Sequence, residues 1–268
     1  MNSDGSESNQ DRVRGILLGL AAGDRIGGPI RMALFVAESL QENQGFDRHD
    51  LGKRYHEWWR EGAFDTGPTV AGVLSWVDRD LSFEVAAQRV DQELRGLTAG
   101  CNSAHRAAPI AMSAHIADAT VGSVAMKEAR LTHFHPLAGQ TSAAVVRLCR
   151  LLVRGTAWPD ALQLIAESSE PRIRQALQVR SENEINSGGF APDVLAAAVY
   201  HLRQADSFAE AVNRSMAFAG FANYCPVLVG SIGGARWGRR QIEASHLEHH
   251  GSLVARLESV AEAMAVDW

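Results

Sequence analysis

Residues 220–238 read GFANYCPVLVGSIGGARWG. After the polar turn at Asn223, the run is made almost entirely of small and aliphatic residues, without the alternation of β-branched and polar residues that marks a strand. Gly230, Gly234 and Gly238 recur every four residues. On a helix that spacing lays a strip of bare backbone along one face, where a second helix can approach closely. The stretch therefore reads as a buried helix at a helix–helix contact, and it sets the fold class expected for the rest of the chain.

Outward from it, the helical period continues in both directions. Ser207-Phe-Ala-Glu210 reads as a capping box opening a helix that runs to Ala219. Alanine-rich segments at 107–119, 121–130, 137–153 and 191–203 read as helices, and Pro159-Asp160 suits the first turn of another ending near Glu167. Nearer the start, Ile16, Leu17 and Leu20 make an apolar stripe that stops at Gly23-Asp24. Met32, Phe35, Val36 and Leu40 follow at i, i+3, i+4 spacing, and Tyr55, Trp58 and Trp59 lie on a further helix. Segments 69–77 and 82–94 add two more, the second capped by Ser82 with Glu84 in its first turn. Residues 253–264 form the last helix. No segment reads as a strand, so the expectation is a single compact all-α domain over residues 12–268, preceded by a disordered tip at 1–11.

Composition narrows the function classes. The chain has 268 residues, 46% hydrophobic and 21% charged, enough to bury a substantial core. A net charge of −5, with arginines dispersed among acids, offers no footprint for a nucleic-acid partner. Every apolar run is interrupted by Arg, Asp or Glu, which argues against a membrane partner. The first ten residues lack the basic and apolar regions of a secretory leader, and three cysteines fit no disulfide framework or zinc knuckle. A reducing cytoplasm is the expected setting.

Several residue groups have the chemistry of a binding site. Gly100-Cys-Asn102-Ser103 starts a loop ahead of an alanine-rich helix, where free backbone N–H groups attract phosphate. His105 and Arg106 add donors for charge-assisted bonds to a diphosphate. His133 is placed to line a polar pocket. A zinc role for His133 and His135 would need further ligands that their spacing does not offer. His246, His249 and His250 lie in a polar segment and read as a solvated face. Cys225 has no activating base beside it and reads as a buried, inert thiol.

Seven segments, in order, resemble the ADP-ribosylglycohydrolase family. Arg14-Gly-Ile-Leu-Leu-Gly-Leu-Ala-Ala-Gly-Asp24 is similar to its opening helix, and residues 32–40 to the helix after its first metal motif. Phe64-Asp65-Thr66-Gly67-Pro68-Thr69 resembles its Asp-Ile-Gly-Asn-Thr element. Gly100-Cys-Asn-Ser-Ala-His-Arg-Ala-Ala-Pro109 resembles its phosphate- and ribose-facing loop, and Thr132-His-Phe-His-Pro136 its Thr-His-x-x-Pro segment. Ser187-Gly188-Gly189-Phe190 resembles the stretch bordering its substrate. Residues 220–238 have the outline of its last motif, Gly-Gly-Asp-Ala-Asp-Thr-x-Gly. The resemblance implies an all-α fold and an ADP-ribose-like or ADP-ribosylated ligand. It also implies ligand contacts at Gly100, Asn102, Ser103, His105, Arg106, His133, Gly188, Gly189, Phe190, Asn223 and Tyr224.

The departures concern the metal. In the family, paired aspartates hold a dinuclear magnesium centre. Here the first motif falls on Gly27-Gly28-Pro29, and Phe221 and Asn223 replace the last two aspartates. Magnesium needs hard oxygen ligands in octahedral array, normally with one or two carboxylates, and these residues lack them. No metal cofactor is therefore expected. Phe221 and Tyr224 are expected to make the old metal cavity smaller and more aromatic. Asp65, then Asp24, are the carboxylates left to act as acid or base. Two readings stand: a hydrolase of a ribosyl glycosidic bond working without the magnesium pair, or a catalytically silent relative that binds an ADP-ribose-like ligand or serves as an interaction protein.

Overall fold

The computed structural model describes residues 3–268. Its centre is the contact between α1 (Ser3–Gly23) and α13 (Cys225–Trp237). Both helices present glycines at a spacing of four. A Cβ placed on Gly15 or Gly19 would overlap the carbonyl of Gly234 or Gly230, and the converse substitutions would overlap Gly15 and Gly19. Gly23 meets the Pro226 carbonyl in the same way. Without side chains between them, the backbones touch, and Ile16, Leu20, Val227 and Ile232 fill the flanks completely buried. Gly238 lies past the strip. It ends the helix at φ 85°, and a Cβ there would overlap the Asp11 carboxylate.

The remaining helices surround this pair. They are α2 (Gly28–Asn43), α3 (Arg48–Arg60), α4 (Gly67–Val77), α5 (Phe83–Glu93), α6 (Asn102–Ala107) and α7 (Val121–Ala129). Then come α8 (Pro136–Val153), α9 (Trp158–Glu167), α10 (Pro171–Gln178), α11 (Ala191–Arg203), α12 (Phe208–Ala219) and α14 (Leu253–Ala265). One apolar cluster runs through most of them, and Val73, Ala86, Ala87 and Val90 make a small satellite between α4 and α5. The fold is all-α: among the described residues the only β pairing is a single antiparallel bridge between Gly100 and Phe190. No helix among them is long and apolar enough to cross a membrane.

Three local expectations are corrected. The N-terminal tip is helical from Ser3 onward, because tertiary anchors hold its polar residues. Ser6 Oγ donates to the Trp268 carbonyl at 2.7 Å, Glu7 pairs with Arg240, and Asp11 accepts the Arg240 backbone N–H. Met1 and Asn2, also assigned to that tip, lie outside the described residues. The segment expected as one helix over 107–119 is instead the end of α6, a 3₁₀ turn (Ala108–Met112) and a loop. Pro109 cannot donate to an α-helical ladder, and the tighter turn accommodates it. At α12, Ser207 Oγ caps the Glu210 N–H at 3.2 Å, but Glu210 returns its bond to Asp206 N and not to Ser207.

Candidate functional site

Asp24 ends α1 and is completely buried. Its Oδ1 accepts from the backbone N–H of Ile26 (3.1 Å) and Gly27 (2.8 Å), and its Oδ2 from Ile30 N (2.8 Å). The carboxylate thus bends the chain from α1 into α2 and satisfies free donors at the α2 N-terminus, where negative charge is favoured. Gly27, at φ 107°, supplies the left-handed turn this path requires.

Asp65 arrives from the other side, on the short loop between α3 and α4. Its φ of 54° lies in the left-handed region that Asp and Asn tolerate best. The loop packs against Gly28 so closely that a Cβ there would lie 2.7 Å from Asp65 Cβ. Asn223 joins the two carboxylates. Its Nδ2 donates to Asp24 Oδ1 at 2.6 Å and to Asp65 Oδ2 at 3.3 Å. Its Oδ1 accepts the Arg25 N–H at 3.1 Å, which fixes the orientation of the amide. Burial, and then the charge of Asp24, raise the Asp65 carboxyl above the usual range, while Asn223 and the Gly28 N–H oppose the rise.

Two further loops close on this junction. Asn102 Nδ2 donates to the Thr66 carbonyl at 2.5 Å, tying the Gly100 loop to the Asp65 loop. Cys101 N donates to Gly189 O (3.0 Å) and Ala191 N to Ala99 O (2.9 Å), which sets Gly188-Gly189-Phe190 beside Gly100. The half-exposed Tyr224 ring lies against Gly189, 3.2 Å from a Cβ placed there. His133, buried below, shares a 2.8 Å hydrogen bond through Nδ1 with Thr132 Oγ1 and points Nε2 toward Gly100. Burial, then the charge of Arg106, hold His133 well below the usual histidine range. His105 is buried beside the Tyr224 backbone, and burial holds it down to about 4. Both imidazoles are therefore neutral at pH 7 and act as polar walls rather than cationic phosphate ligands.

The sequence-predicted residues thus divide. Asp24, Asp65, Asn223, Tyr224, Gly100, Asn102, Gly188 and Gly189 converge, with His105 and His133 behind them; Phe190 joins by its backbone bridge to Gly100, while its ring lies under the Arg172 guanidinium. Ser103 and Arg106 do not face this junction. Ser103 is fully buried and bonds the Ala138 carbonyl. Arg106 is fully buried, pairs with Glu128 at 2.6 Å, and donates to Thr132 Oγ1 at 2.7 Å. An arginine with no exposed surface, its charge already paired with a buried carboxylate, belongs to the core and does not reach a diphosphate. Phe221 is fully exposed, so it does not narrow the cavity; that expectation is corrected too. All three cysteines are buried, and burial pushes each thiol up, away from reactivity.

Sequence reading missed the residues behind Asp24. Arg25 Nη2 holds the Ala222 carbonyl at 2.5 Å and so anchors the Asn223 turn. His249 and His250, expected on a solvated face, bond the carbonyls of Asp24 and Ala21 through Nε2, both at 2.8 Å. They hold carbonyls at the end of α1, and nothing local in a polar His-rich segment announces a partner 225 residues away.

Comparison with known proteins agrees with this architecture. Residues 30–267 match the family model described as ADP-ribosylglycohydrolase, and the chain belongs to that family. The match begins directly after Gly27-Gly28-Pro29. The ADP-ribosylarginine hydrolase Tri1 of Pseudomonas putida (strain GB-1) is 24% identical over 274 aligned positions, spanning 87% of this chain and 72% of its own. A solved structure described as an ADP-ribosylglycohydrolase-related protein complex has the same fold, with a TM-score of 0.79 at 23% identity over 97% of this chain and 98% of that one.

Proposed function

We propose that this protein hydrolyses an N- or O-ribosyl bond of an ADP-ribosylated or nucleoside-type substrate, and that it does so without the dinuclear magnesium centre of its family. The observation that carries this reading is the Asn223 amide between Asp24 and Asp65. An N–H donor occupies the space where two carboxylates would otherwise share a cation. Four N–H groups already point at the Asp24 oxygens. That donor set does not fit a magnesium pair, which needs several unengaged oxygens in octahedral array.

What remains is acid–base chemistry at Asp65. Its Oδ2 faces Asn223, and it keeps proton-exchange capacity at a pH above that of an ordinary carboxylate. Asp65 takes a proton from the attacking water as the new C–O bond forms at the ribose anomeric carbon. The bond to the leaving nitrogen or oxygen breaks through an oxocarbenium-like state, and the proton is then returned to the leaving group. Asp24 and Asn223 hold the loop that carries Asp65. Gly100, Asn102, Gly188, Gly189 and Tyr224 supply backbone and ring surfaces for the substrate. The name of the Tri1 relative makes ADP-ribosyl-arginine the first substrate to test. Release of ADP-ribose from an ADP-ribosylated arginine or serine peptide in excess chelator, abolished by Asp65→Asn, supports the reading. No turnover of a broad panel of glycosidic substrates, with or without magnesium, sinks it.

The engagement of Asp24 by backbone donors favours a second reading, a silent relative that binds ADP-ribose in the same place. Calorimetry separates the two. Chelator-insensitive binding of ADP-ribose with no hydrolysis of any conjugate selects the binding protein.

A further inference from the structure

At the opposite end of α11 from Phe190, about 20 Å away at the helical rise per residue, a cavity of about 680 Å³ opens between α9, α10 and the last turn of α11. Leu162 and Leu177, both buried, contribute its apolar lining. Arg174, Arg180 and Arg203 line it as well, against one carboxylate, Glu167, whose Oε1 is engaged by Gln163 at 2.9 Å.

Helix ends account for some of this charge. Arg174 donates to the Ala166 and Ser169 carbonyls, and Arg203 Nη2 to the Leu177 carbonyl, all within 3.1 Å. Carbonyls satisfy N–H donors but do not neutralise a full cation. None of the three arginines has a carboxylate within ion-pair distance among the described residues, and Arg203 Nε is buried with no partner at all. Glu184, the neighbouring acid, accepts the Arg180 backbone N–H. Burial first, and the charge of Arg180 second, hold the Arg203 guanidinium below the usual arginine range, as two facing cations without a counter-ion would.

We infer that this groove is a binding site for a small organic oxyanion, a phosphate or carboxylate on an apolar body, with the oxyanion between Arg180 and Arg203 and the apolar part against Pro159, the exposed apolar residue of the same lining. The cavity has the volume of a small-molecule pocket. Paired guanidiniums bind planar or tetrahedral oxyanions through forked hydrogen bonds. The site is separate from the Asp24–Asp65 junction and independent of the activity proposed there.

The test is calorimetric titration of the full chain with phenyl phosphate, benzoate and inorganic phosphate at constant ionic strength. Saturable binding of phenyl phosphate or benzoate is expected, about tenfold or more tighter than inorganic phosphate. The preferred aromatic probe identifies the oxyanion. Arg180→Gln, at an exposed side chain that makes no internal bond, is expected to weaken that binding about tenfold with an unchanged melting temperature, and Arg203→Gln to weaken it similarly. Absence of saturable binding for both aromatic probes overturns the inference, as does binding that survives both substitutions.

Discussion

Asn223 Nδ2 lies 2.6 Å from Asp24 Oδ1, across 199 residues of chain, and is the shortest hydrogen bond that Asp24 accepts. It makes one buried amide the keystone of two loops that otherwise present like charges to each other. Asn223→Asp removes the donor and adds a third carboxylate to a buried site. A destabilisation of about 3 kcal/mol or more at pH 7 is expected, the scale of an uncompensated buried charge. The new carboxyl would have a raised folded-state pKa, so the penalty is smallest in acid and grows as pH rises through that pKa. Urea melts at pH 5 and pH 7 check both the size and the sign.

Magnesium is expected to leave the protein unmoved. A ligand that does not bind the native state cannot raise its melting temperature by mass action. Thermal melts in millimolar magnesium and in chelator should superimpose, and so should those of the double variant Phe221→Asp/Asn223→Asp relative to its own baseline. The residues at the first motif remain Gly27, Gly28 and Pro29, and half a ligand set does not hold a metal pair. A saturable rise for the wild type restores the metal-dependent hydrolase to first place.

Asp65→Asn separates chemistry from stability. Asn tolerates the φ of 54° as Asp does, so the backbone is not strained. The raised carboxyl means that the folded protein holds the Asp65 proton more tightly than the unfolded chain. Its ionisation therefore disfavours folding, increasingly as pH climbs from the ordinary carboxylate value through the raised one. The variant is expected to match the wild type in strong acid, to exceed its stability at pH 7, and to have no hydrolase activity. Wild-type activity is expected to fall on an acid limb lying above the ordinary carboxylate range. Equal melting curves at pH 7, or an acid limb at the ordinary value, would contradict the assignment.

Gly234→Ala tests the backbone contact at the centre of the fold. The added methyl meets the Gly15 carbonyl, and neither helix can shift without disturbing the buried flanks. A loss of about 3 kcal/mol or more is expected, the upper end of overpacking costs. Gly5→Ala, in the same α1 helix with open space around it, is expected to be neutral or stabilising by about 0.5–1 kcal/mol. Denaturant titration of the two variants gives the contrast directly.

Glu128→Gln probes the buried arginine. Glu128 and Arg106 are both inaccessible, and the Tyr55 hydroxyl donates to the same carboxylate oxygen at 2.8 Å. Neutralising Glu128 strands the guanidinium, at a cost of about 3–5 kcal/mol. Ligand affinity at the Asp65 junction, measured on the folded fraction, is expected to change little, as befits a core pair. A selective loss of affinity with full stability would return Arg106 to the ligand.

Much of this protein was determined by the sequence itself. Apolar spacing, Ser82 as a cap, prolines at first turns and the glycines at 230 and 234 place the helices and mark a close contact, because these signals act within one or two helical turns. The order of seven segments points to the family for the same reason, since each is a short, continuous string. Only the tertiary structure decided which helix meets the glycine strip, that residues 3–11 are anchored by Trp268 and Arg240, and that Arg106 belongs to the core. It also decided how the surviving carboxylates are used: Asp24 as the clasp of a backbone turn backed by His249, Asp65 as the side chain with a raised pKa. Those roles depend on burial, hydrogen-bond partners and neighbouring charge, and here the neighbours come from segments up to 225 residues apart. Local periodicity carries no record of such encounters.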